Sequence, residues 1–158
     1  MRALLQRVSR AAVSVDGREI AAIDHGLLVL LGVFRDDHER LATRLAERTL
    51  AARIFADDAH GYADTTRSRA SKPMNRSVLD VGGGVLAVSQ FTLAADTGRG
   101  NRPSFGDAAP PEVALPLYES YVAGLRTGCE QVETGAFGAE MRVALVNDGP
   151  VTVLLEAN

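Results

Sequence analysis

The sequence is poor in residues on which several large classes of protein depend. Its 158 residues contain one cysteine, Cys129, and no tryptophan. A single cysteine cannot form a disulfide within the chain, which is typical of proteins in a reducing compartment. No electropositive neighbourhood can be read around Cys129, so we expect a small buried residue there instead of a nucleophile.

Long apolar runs and an excess of positive charge are missing as well. The longest apolar run, Leu27 to Phe34, is too short to span a bilayer, which takes about 20 residues. The charges of Arg2 and Arg7 come too early for a signal peptide. The formal net charge of −3 lacks the basic excess of proteins that bind nucleic acid broadly, so any RNA contact must be local. We therefore expect a cytoplasmic protein with no membrane or DNA partner.

Recognisable metal and nucleotide motifs are absent too. His25, His38 and His60 are scattered without ligand spacing, and no Cys/His cluster accompanies them, so we expect no zinc site. The glycine run at 82–84 lacks the lysine and hydroxyl of a phosphate-binding loop and precedes a strand. No Gly-x-Ser-x-Gly elbow marks Ser89 as a nucleophile. We predict neither a metal nor a cofactor, while histidine catalysis stays open.

The pattern that is present predicts a single mixed α/β or α+β domain over residues 1–158. Apolar residues make up 46% and charged residues 23%, as in ordinary globular domains. Alternating or continuous apolar residues predict strands at 4–15, 20–23, 27–33, 85–91, 141–146 and 151–155. Helical spacing predicts helices at 37–52 and 111–126, the second with an inner stripe of Leu115, Tyr118, Val122 and Leu125. Residues 57–75 lose periodicity, which predicts a long basic loop.

Three polar segments could carry chemistry, and each also has a plain structural explanation. Ser89–Leu93 ends a strand, where backbone amides leave the ladder, although a strand terminus can carry incidental hydroxyls. Asn147–Thr152 is a tight turn on spacing alone, although its Gly149–Pro150 bond can be cis. Gly100–Phe105, beside Arg99, could contact phosphate or a terminal ribose, and a solvated loop is equally consistent with it.

Taken together, the segments resemble the D-aminoacyl-tRNA deacylase family along nearly the whole chain. Seven stretches carry the resemblance in order, at residues 5–8, 26–33, 53–55, 89–97, 102–105, 134–141 and 146–152. The two most specific are Ser89-Gln90-Phe91-Thr92 and the Asn-x-Gly-Pro of residues 147–150.

The resemblance implies a deacylase-type fold, with a barrel-like β core and two helices, and a homodimer. It also implies hydrolysis of the ester between a D-amino acid and the terminal adenosine of tRNA. Gly149-Pro150 of one subunit would enter the partner's site beside the strand end at Ser89. In the family this bond is cis, and its carbonyls crowd the α-carbon so that an L side chain cannot enter. Glycine, which has no side chain, should then be accepted.

The same resemblance implies roles for individual residues. The backbone amides near Phe91 and Thr92 would stabilise the developing oxyanion, beside Ser89 and Gln90, while the 2′-hydroxyl of the substrate takes part. Thr92 would position groups or act as a weak catalyst. Arg7 would hold the Gly-Pro turn by hydrogen bonding, and Phe137 and Met141 would contact the substrate.

The chain departs from the family pattern at two places. The family's Gly-Lys-Met-Asn element appears within Ser71–Asn75, after an apparent insertion at 61–71 that carries Arg67 and Arg69. Our hypothesis is that the insertion contacts tRNA. Neutralising both arginines should then weaken tRNA binding and flatten its salt dependence, and unchanged binding would contradict the idea. Val153 stands where an aromatic residue often follows, and we expect only a change in packing there.

Two other functions compete with the D-specific one. A related deacylase with a trans Gly-Pro removes L-alanine from the wrong tRNA, and an RNA-binding module could reuse the fold without catalysis. Asp148 before Gly149, with the complete Ser-Gln-Phe-Thr string, favours the D-specific enzyme. The net charge of −3 and the intact signature weigh against the binding module.

Overall fold

A computed structural model of the chain describes residues 1–57, 73–98 and 100–158. Its strands are β1 (Arg2–Val15), β2 (Arg18–Ile23), β3 (Gly26–Gly32), β4 (Phe55–Ala56), β5 (Met74–Arg76), β6 (Gly84–Ser89), β7 (Val132–Thr134) and β8 (Arg142–Glu156). Its helices are α1 (Glu39–Ala51), a 3₁₀ turn (Phe91–Ala94) and α2 (Pro111–Arg126). Among the described residues, no helix combines the length and the apolar character needed to cross a membrane.

The long first strand organises the main sheet because its two halves pair with different partners. Residues 2–8 of β1 pair antiparallel with β3, and residues 11–15 pair with β2. The opposite edge of β1 pairs antiparallel with β8. The parallel pairs β3–β6 and β6–β7 extend the sheet. Because β2 also lies against β6 and β7, the sheet curls into a barrel-like shape, as the family resemblance implies.

Apolar side chains fill both faces of this curved sheet. One buried cluster lies inside the curve and includes Val13, Ile23, Leu28 and Leu86. A larger cluster lies between the outer face and the two helices. Strand β3 supplies both clusters, which explains why its sequence is apolar at nearly every position. The expected mixed α+β class with two helices is confirmed.

Strands β3 and β6 approach each other most closely at two facing glycines. Gly26 pairs with Gly84 in the parallel register. A Cβ added to Gly26 would stand 1.9 Å from the carbonyl oxygen of Gly84, whereas one added to Gly84 would first meet the side-chain oxygen of Gln131, at 2.8 Å. The parallel pairing of the two core strands therefore depends on a bare backbone at position 26.

The two helices pack on each other over the outer face of the sheet. A Cβ added to Gly124 would stand 2.8 Å from the Cβ of Ala46, so this glycine permits the close contact. The buried stripe of α2 comprises Ala114, Leu117, Tyr118, Tyr121, Val122 and Leu125. The prediction that Leu115 lies on this stripe is wrong, since the side chain is 37% exposed. At 3.6 residues per turn, Leu115 lies about 200° around the helix from Leu117.

Pairing between distant segments produced the other differences from the predicted elements. The predicted strands at 141–146 and 151–155 form one strand, because β1 is long enough to pair with both halves. The strand predicted at 85–91 ends at Ser89 and turns into 3₁₀ helix. Met74–Arg76, partly inside the predicted loop, pairs with β4. The insertion at 61–71, with Arg67 and Arg69, and also Arg99, lie outside the described residues.

Candidate functional site

A cavity of about 490 Å³ opens where strand β6 ends. The polar side chains in its lining are those of Ser89, the last residue of the strand, and Gln90, the next residue. Phe91 follows them at the rim. The other walls are mainly apolar and come from the start of α2 and from residues 137–143. The cavity therefore combines an apolar lining with a few polar groups at one end, which is the usual composition of a small-molecule site.

The 3₁₀ turn places two backbone donors beside this cavity. The amide of Gln90 still bonds to the Leu31 carbonyl at 2.7 Å, and the Leu93 amide bonds back to the Gln90 carbonyl at 3.2 Å. Between them, the amides of Phe91 and Thr92 donate no hydrogen bond to any acceptor in the described part of the chain. Unpaired N–H groups at the start of a helical turn can bind a negatively charged oxygen.

Contacts with β1 and β3 hold the 3₁₀ turn in place. Arg2 donates from Nη1 to the carbonyl of Leu93 at 3.0 Å. Gly32, the last residue of β3, lies so close that an added Cβ would stand 2.7 Å from the Cβ of Leu93. The hydroxyl of Thr92 accepts a hydrogen bond of 2.6 Å from Nε2 of Gln90, so the two side chains restrain each other.

Phe137 and Met141, to which the resemblance assigns contact with the substrate, form part of the apolar wall. Behind Phe137, the ring of Tyr118 packs with its centroid 5.9 Å from the Phe137 centroid. The Tyr118 hydroxyl donates to the carbonyl of Ala87 in β6 at 2.9 Å, and burial raises the pKa of Tyr118 to about 12. The sequence analysis missed this support, although a tyrosine on a buried helical stripe signals that its hydroxyl has found a partner.

Gly149 and Pro150 lie away from this cavity, on the segment of β8 opposite Arg7. The register of β8 against β1 shifts on either side of Val8, so residues 148–151 bulge out of the ladder where we expected a free turn. The Gly149–Pro150 peptide bond is cis. Asn147 accepts a hydrogen bond of 2.9 Å from the Val151 amide and closes the bulge.

The side chain of Arg7 supports this bulge from inside the molecule. It is nearly buried, and its Nε donates to the carbonyl of Asp148 at 2.9 Å, while Nη1 donates to the carbonyl of Ile54 at 2.7 Å. Its Nε also lies 3.4 Å from a carboxylate oxygen of Asp148. The hydrogen bond expected from Arg7 to the Gly-Pro segment therefore exists, one residue before Gly149.

Within one chain, the predicted site residues fall into two separate groups. Arg7 pairs with Leu27, which lies beside Val85 on the parallel strand β6. Ser89 stands four residues further along β6, which corresponds to about 13 Å along the strand direction. The structure thus brings Ser89, Gln90, Phe91, Phe137 and Met141 together around the cavity, with Thr92 beside them. It leaves Arg7, Gly149 and Pro150 in the other group.

The outward surface of β8 surrounds the Gly-Pro bulge, and we call it the β8 surface. Along Arg142–Glu156, which lies entirely within the described residues, no residue is buried. The surface includes large apolar side chains with high exposure, such as Val146 at 61% and Leu154 at 47%. A row of exposed apolar residues on a strand at the edge of a sheet is typical of a surface that contacts another chain.

The third polar segment of the sequence lies against Phe91, which lines the cavity. Phe105 packs edge to face on Phe91, with ring centroids 5.2 Å apart. Arg102 in the same segment is exposed.

Comparison with known proteins shows the family of the chain at the level of sequence. A family model described as D-Tyr-tRNA(Tyr) deacylase matches residues 4–156. A relative from Roseiflexus castenholzii named D-aminoacyl-tRNA deacylase is 55% identical over 157 residues, covering 99% of this chain and 92% of its own. A relative of the same name from Anaeromyxobacter dehalogenans is 54% identical over 157 residues, covering 99% and 97%.

Two solved structures share the fold. One, titled c-Myc DNA Unwinding Element Binding Protein, superposes with a TM-score of 0.88 at 38% identity and covers 100% of this chain and 99% of its own. The other, described as a probable eukaryotic D-amino acid tRNA deacylase, has a TM-score of 0.79 at 15% identity and covers 98% and 97%. At that identity the second likeness concerns the fold alone.

Proposed function

The chain belongs to the D-Tyr-tRNA(Tyr) deacylase family, and from this membership we infer that it hydrolyses the ester bond between D-amino acids and tRNA. Such hydrolysis is a chiral proofreading step in translation, because it discards tRNA that carries the wrong enantiomer. The relatives named D-aminoacyl-tRNA deacylase match this chain over nearly their whole length, which supports transfer of the activity.

The observation that carries the mechanism is the pair of free amides beside the cavity. With the terminal adenosine in the cavity, against Phe137 and Met141, the ester carbonyl oxygen can reach the amides of Phe91 and Thr92. Water adds to the carbonyl carbon, negative charge develops on that oxygen, and the bond to the ribose oxygen breaks. The products are the free amino acid and tRNA with an intact terminal ribose. One such donor contributes about 3 to 4 kcal/mol of transition-state stabilisation in a well-studied hydrolase.

Water activation need not come from a protein side chain. An aminoacyl ester is already reactive, so a held carbonyl and a directed water account for much of the acceleration. The neighbouring 2′-hydroxyl of the ribose lies within the substrate itself and takes part in directing that water. Ser89 and Gln90 then serve to position the terminal nucleotide, and Thr92 restrains Gln90.

The working form is a homodimer in this proposal. The separation of about 13 Å along the sheet keeps Gly149 and Pro150 of one chain from its own cavity. The exposed apolar β8 surface around them supplies a face for a second copy, whose Gly-Pro segment would enter the first copy's cavity. There its carbonyls would exclude an L side chain, while Arg7 holds the segment through the Asp148 carbonyl.

The partners and location follow from the same activity. The partner would be the acceptor end of aminoacyl-tRNA, bound locally because the chain carries a net charge of −3. The proposed location is the cytoplasm, which a tRNA proofreading role and a single cysteine both support. We propose no DNA-binding role, since the net charge offers no broad basic surface.

Hydrolysis of matched tyrosyl-tRNA enantiomers tests the function. Release of D-tyrosine with L-tyrosyl-tRNA left intact is the expected result. Turnover of L-alanyl-tRNA without turnover of D-tyrosyl-tRNA would instead identify the L-alanine-specific relative, and no turnover of any ester would leave an RNA-binding module. Glycyl-tRNA should also be cleaved, because exclusion acts on a side chain that glycine lacks. A resistant glycyl-tRNA would mean that the site selects by contacts to the D side chain.

A further inference from the structure

Two exposed phenylalanines stand together at the mouth of the cavity. The side chain of Phe91 is 56% exposed and that of Phe105 is 39% exposed. Their ring centroids are 5.2 Å apart and the ring planes meet at 69°, an edge-to-face arrangement. We call them the aromatic pair. Phe91 also lines the cavity, so the aromatic pair continues the wall of the cavity outwards.

Packing of the protein core does not account for the exposure of these rings. Among the described residues, neither ring belongs to a buried cluster of the core. Exposed aromatic surface that adjoins a binding cavity is typical of contact with a ligand. An occupant outside the core would account for the exposed rings.

The segment that carries Phe105 is fixed, so the aromatic pair is a built surface. Asp96 and Ser104 exchange two backbone hydrogen bonds, of 2.8 and 2.9 Å. Further along, the Ala109 amide donates to the Val33 carbonyl at 3.0 Å, and the Arg35 amide donates to the Asp107 carbonyl at 3.1 Å. The segment is therefore attached on both sides of Phe105. Ser104 is bonded to Asp96, and Asp107 and Ala109 are bonded to the residues that follow β3. The Phe105 ring is thereby held beside Phe91.

We propose that the aromatic pair stacks the base of the nucleotide preceding the terminal adenosine of the tRNA. The proposal rests on the function inferred above. With the adenosine in the cavity and its ester at the amides of Phe91 and Thr92, the rest of the strand leaves through the mouth. The acceptor end is single-stranded, and proteins bind unpaired bases by stacking them on aromatic rings. Stacking needs no basic surface, which fits an acidic protein whose contacts to RNA must be local.

Two substrates of different length isolate this contact. One is D-tyrosine esterified to adenosine alone, and the other is D-tyrosine on the 3′-terminal dinucleotide of tRNA. The unaltered protein should hydrolyse the dinucleotide ester with a kcat/KM about tenfold above that of the adenosine ester, chiefly through a lower KM. Stacking of one base supplies an advantage of about that size.

Variants at position 105 should then change the ratio between the two substrates. Phe105→Ala should lower the ratio of kcat/KM to near one, and Phe105→Trp should preserve it. Ile20→Ala, which shortens an exposed apolar side chain on β2 at 46% exposure, is the matched control and should keep the ratio.

Three results would overturn the proposal. One is no advantage of the dinucleotide in the unaltered protein. Another is an equal loss on both substrates in Phe105→Ala, which would make Phe105 a support of the cavity wall. The third is an unchanged ratio in that variant. If the unaltered protein cleaves neither ester nor D-tyrosyl-tRNA, the inferred function itself fails, which is distinct from these results.

Discussion

At the scale of single residues, the side chain of Thr92 is engaged with Gln90, whereas its backbone amide donates no hydrogen bond within the described part of the chain. The hydroxyl accepts a hydrogen bond of 2.6 Å from Gln90. The backbone amide stays available for an oxyanion. In the proposed mechanism the backbone contributes the larger share, and the hydroxyl serves to position Gln90.

Replacement of Thr92 by alanine should therefore leave most of the activity. Thr92→Ala keeps the backbone amide and removes only the acceptor for Gln90, so kcat/KM for D-tyrosyl-tRNA should fall by about tenfold or less, the cost of one neutral hydrogen bond. Single-turnover hydrolysis measures the change. Thr43→Ala, on an exposed face of α1, is the control for loss of a threonine hydroxyl. A fall of a thousandfold would show that the hydroxyl takes part in the chemistry.

Tyr118 gives a pH dependence whose sign can be worked out. Burial raises the pKa of Tyr118 from 10.0 to about 12, so the folded protein holds this proton more tightly than the unfolded chain does. Its contribution to stability is complete below pH 10 and is lost as the pH rises towards 12. The free energy of unfolding in denaturant should fall across that window.

The variant Tyr118→Phe separates this effect from other alkaline titrations. Its free energy of unfolding should decline less steeply between pH 10 and 12, although a slope should remain because burial also raises the pKa of Tyr121. Identical slopes in the two proteins would mean that Tyr118 does not cause the dependence.

At the scale of elements, the position of the 3₁₀ turn depends on the end of strand β3. Gly32→Ala would place a methyl group 2.7 Å from the Cβ of Leu93, so the turn must move away from β3. Overpacking of this kind typically costs about 1 to 3 kcal/mol of stability. We expect a folded protein with a much lower kcat, because the amides of Phe91 and Thr92 move with the turn.

A second glycine variant controls for the loss of a flexible residue. In Gly106→Ala the added methyl group meets no atom closer than 3.6 Å, at the Ser104 hydroxyl, and kcat should stay near that of the unaltered protein. Circular dichroism and D-tyrosyl-tRNA hydrolysis follow fold and activity in both variants. A fully active Gly32→Ala protein would contradict the proposed role of the turn.

The sequence predicted correctly those helices and strands whose apolar residues are regularly spaced along the chain. The α2 helix at 111–126 and the core strand near 27–33 are confirmed because their apolar spacing is regular. The short strand β7 was missed, and β8 was divided in two, because each depends on a partner strand far away in sequence. The predicted strand at 85–91 runs two residues beyond the end of β6 because Phe91 continues its apolar run.

The cavity could be predicted only in part, for a similar reason. Ser89, Gln90 and Phe91 are recognisable as a strand end, and the family pattern adds Phe137 and Met141. Gly32 carries no local signal of its support for the cavity, and the buried stripe of α2 signals that the Tyr118 hydroxyl has a partner without showing which one. Their contacts arise only when α2 and β3 pack against β6.

At the scale of the whole molecule, the β8 surface is relevant to how two copies of the chain could assemble. Its exposed apolar residues surround the Gly-Pro bulge, and the bulge lies far from the cavity of its own chain. The proposed dimer through this surface would account for both facts. Disruption of the β8 surface should therefore lower the molecular mass in solution, and the same change should reduce chiral discrimination.

Val146→Asp tests this link. Val146 is 61% exposed, so a charge there leaves the fold intact but opposes burial against a second copy. Sedimentation should show a dimer for the unaltered protein and a monomer of about 16.8 kDa for the variant. The monomer should lose its preference for D-tyrosyl-tRNA over L-tyrosyl-tRNA. Ile20→Asp, at an exposed site on β2, should stay dimeric and selective. A selective monomer would contradict the shared site.

The facing glycines of the two parallel core strands have a genetic consequence. Any missense change at codon 26 adds a Cβ that collides with the main chain of Gly84, and a main chain cannot rotate away. A change at codon 84 first meets the flexible end of Gln131, which can move. In a library of random substitutions selected for folded protein, no substitution of Gly26 should be recovered. A few substitutions of Gly84 by small residues should be recovered.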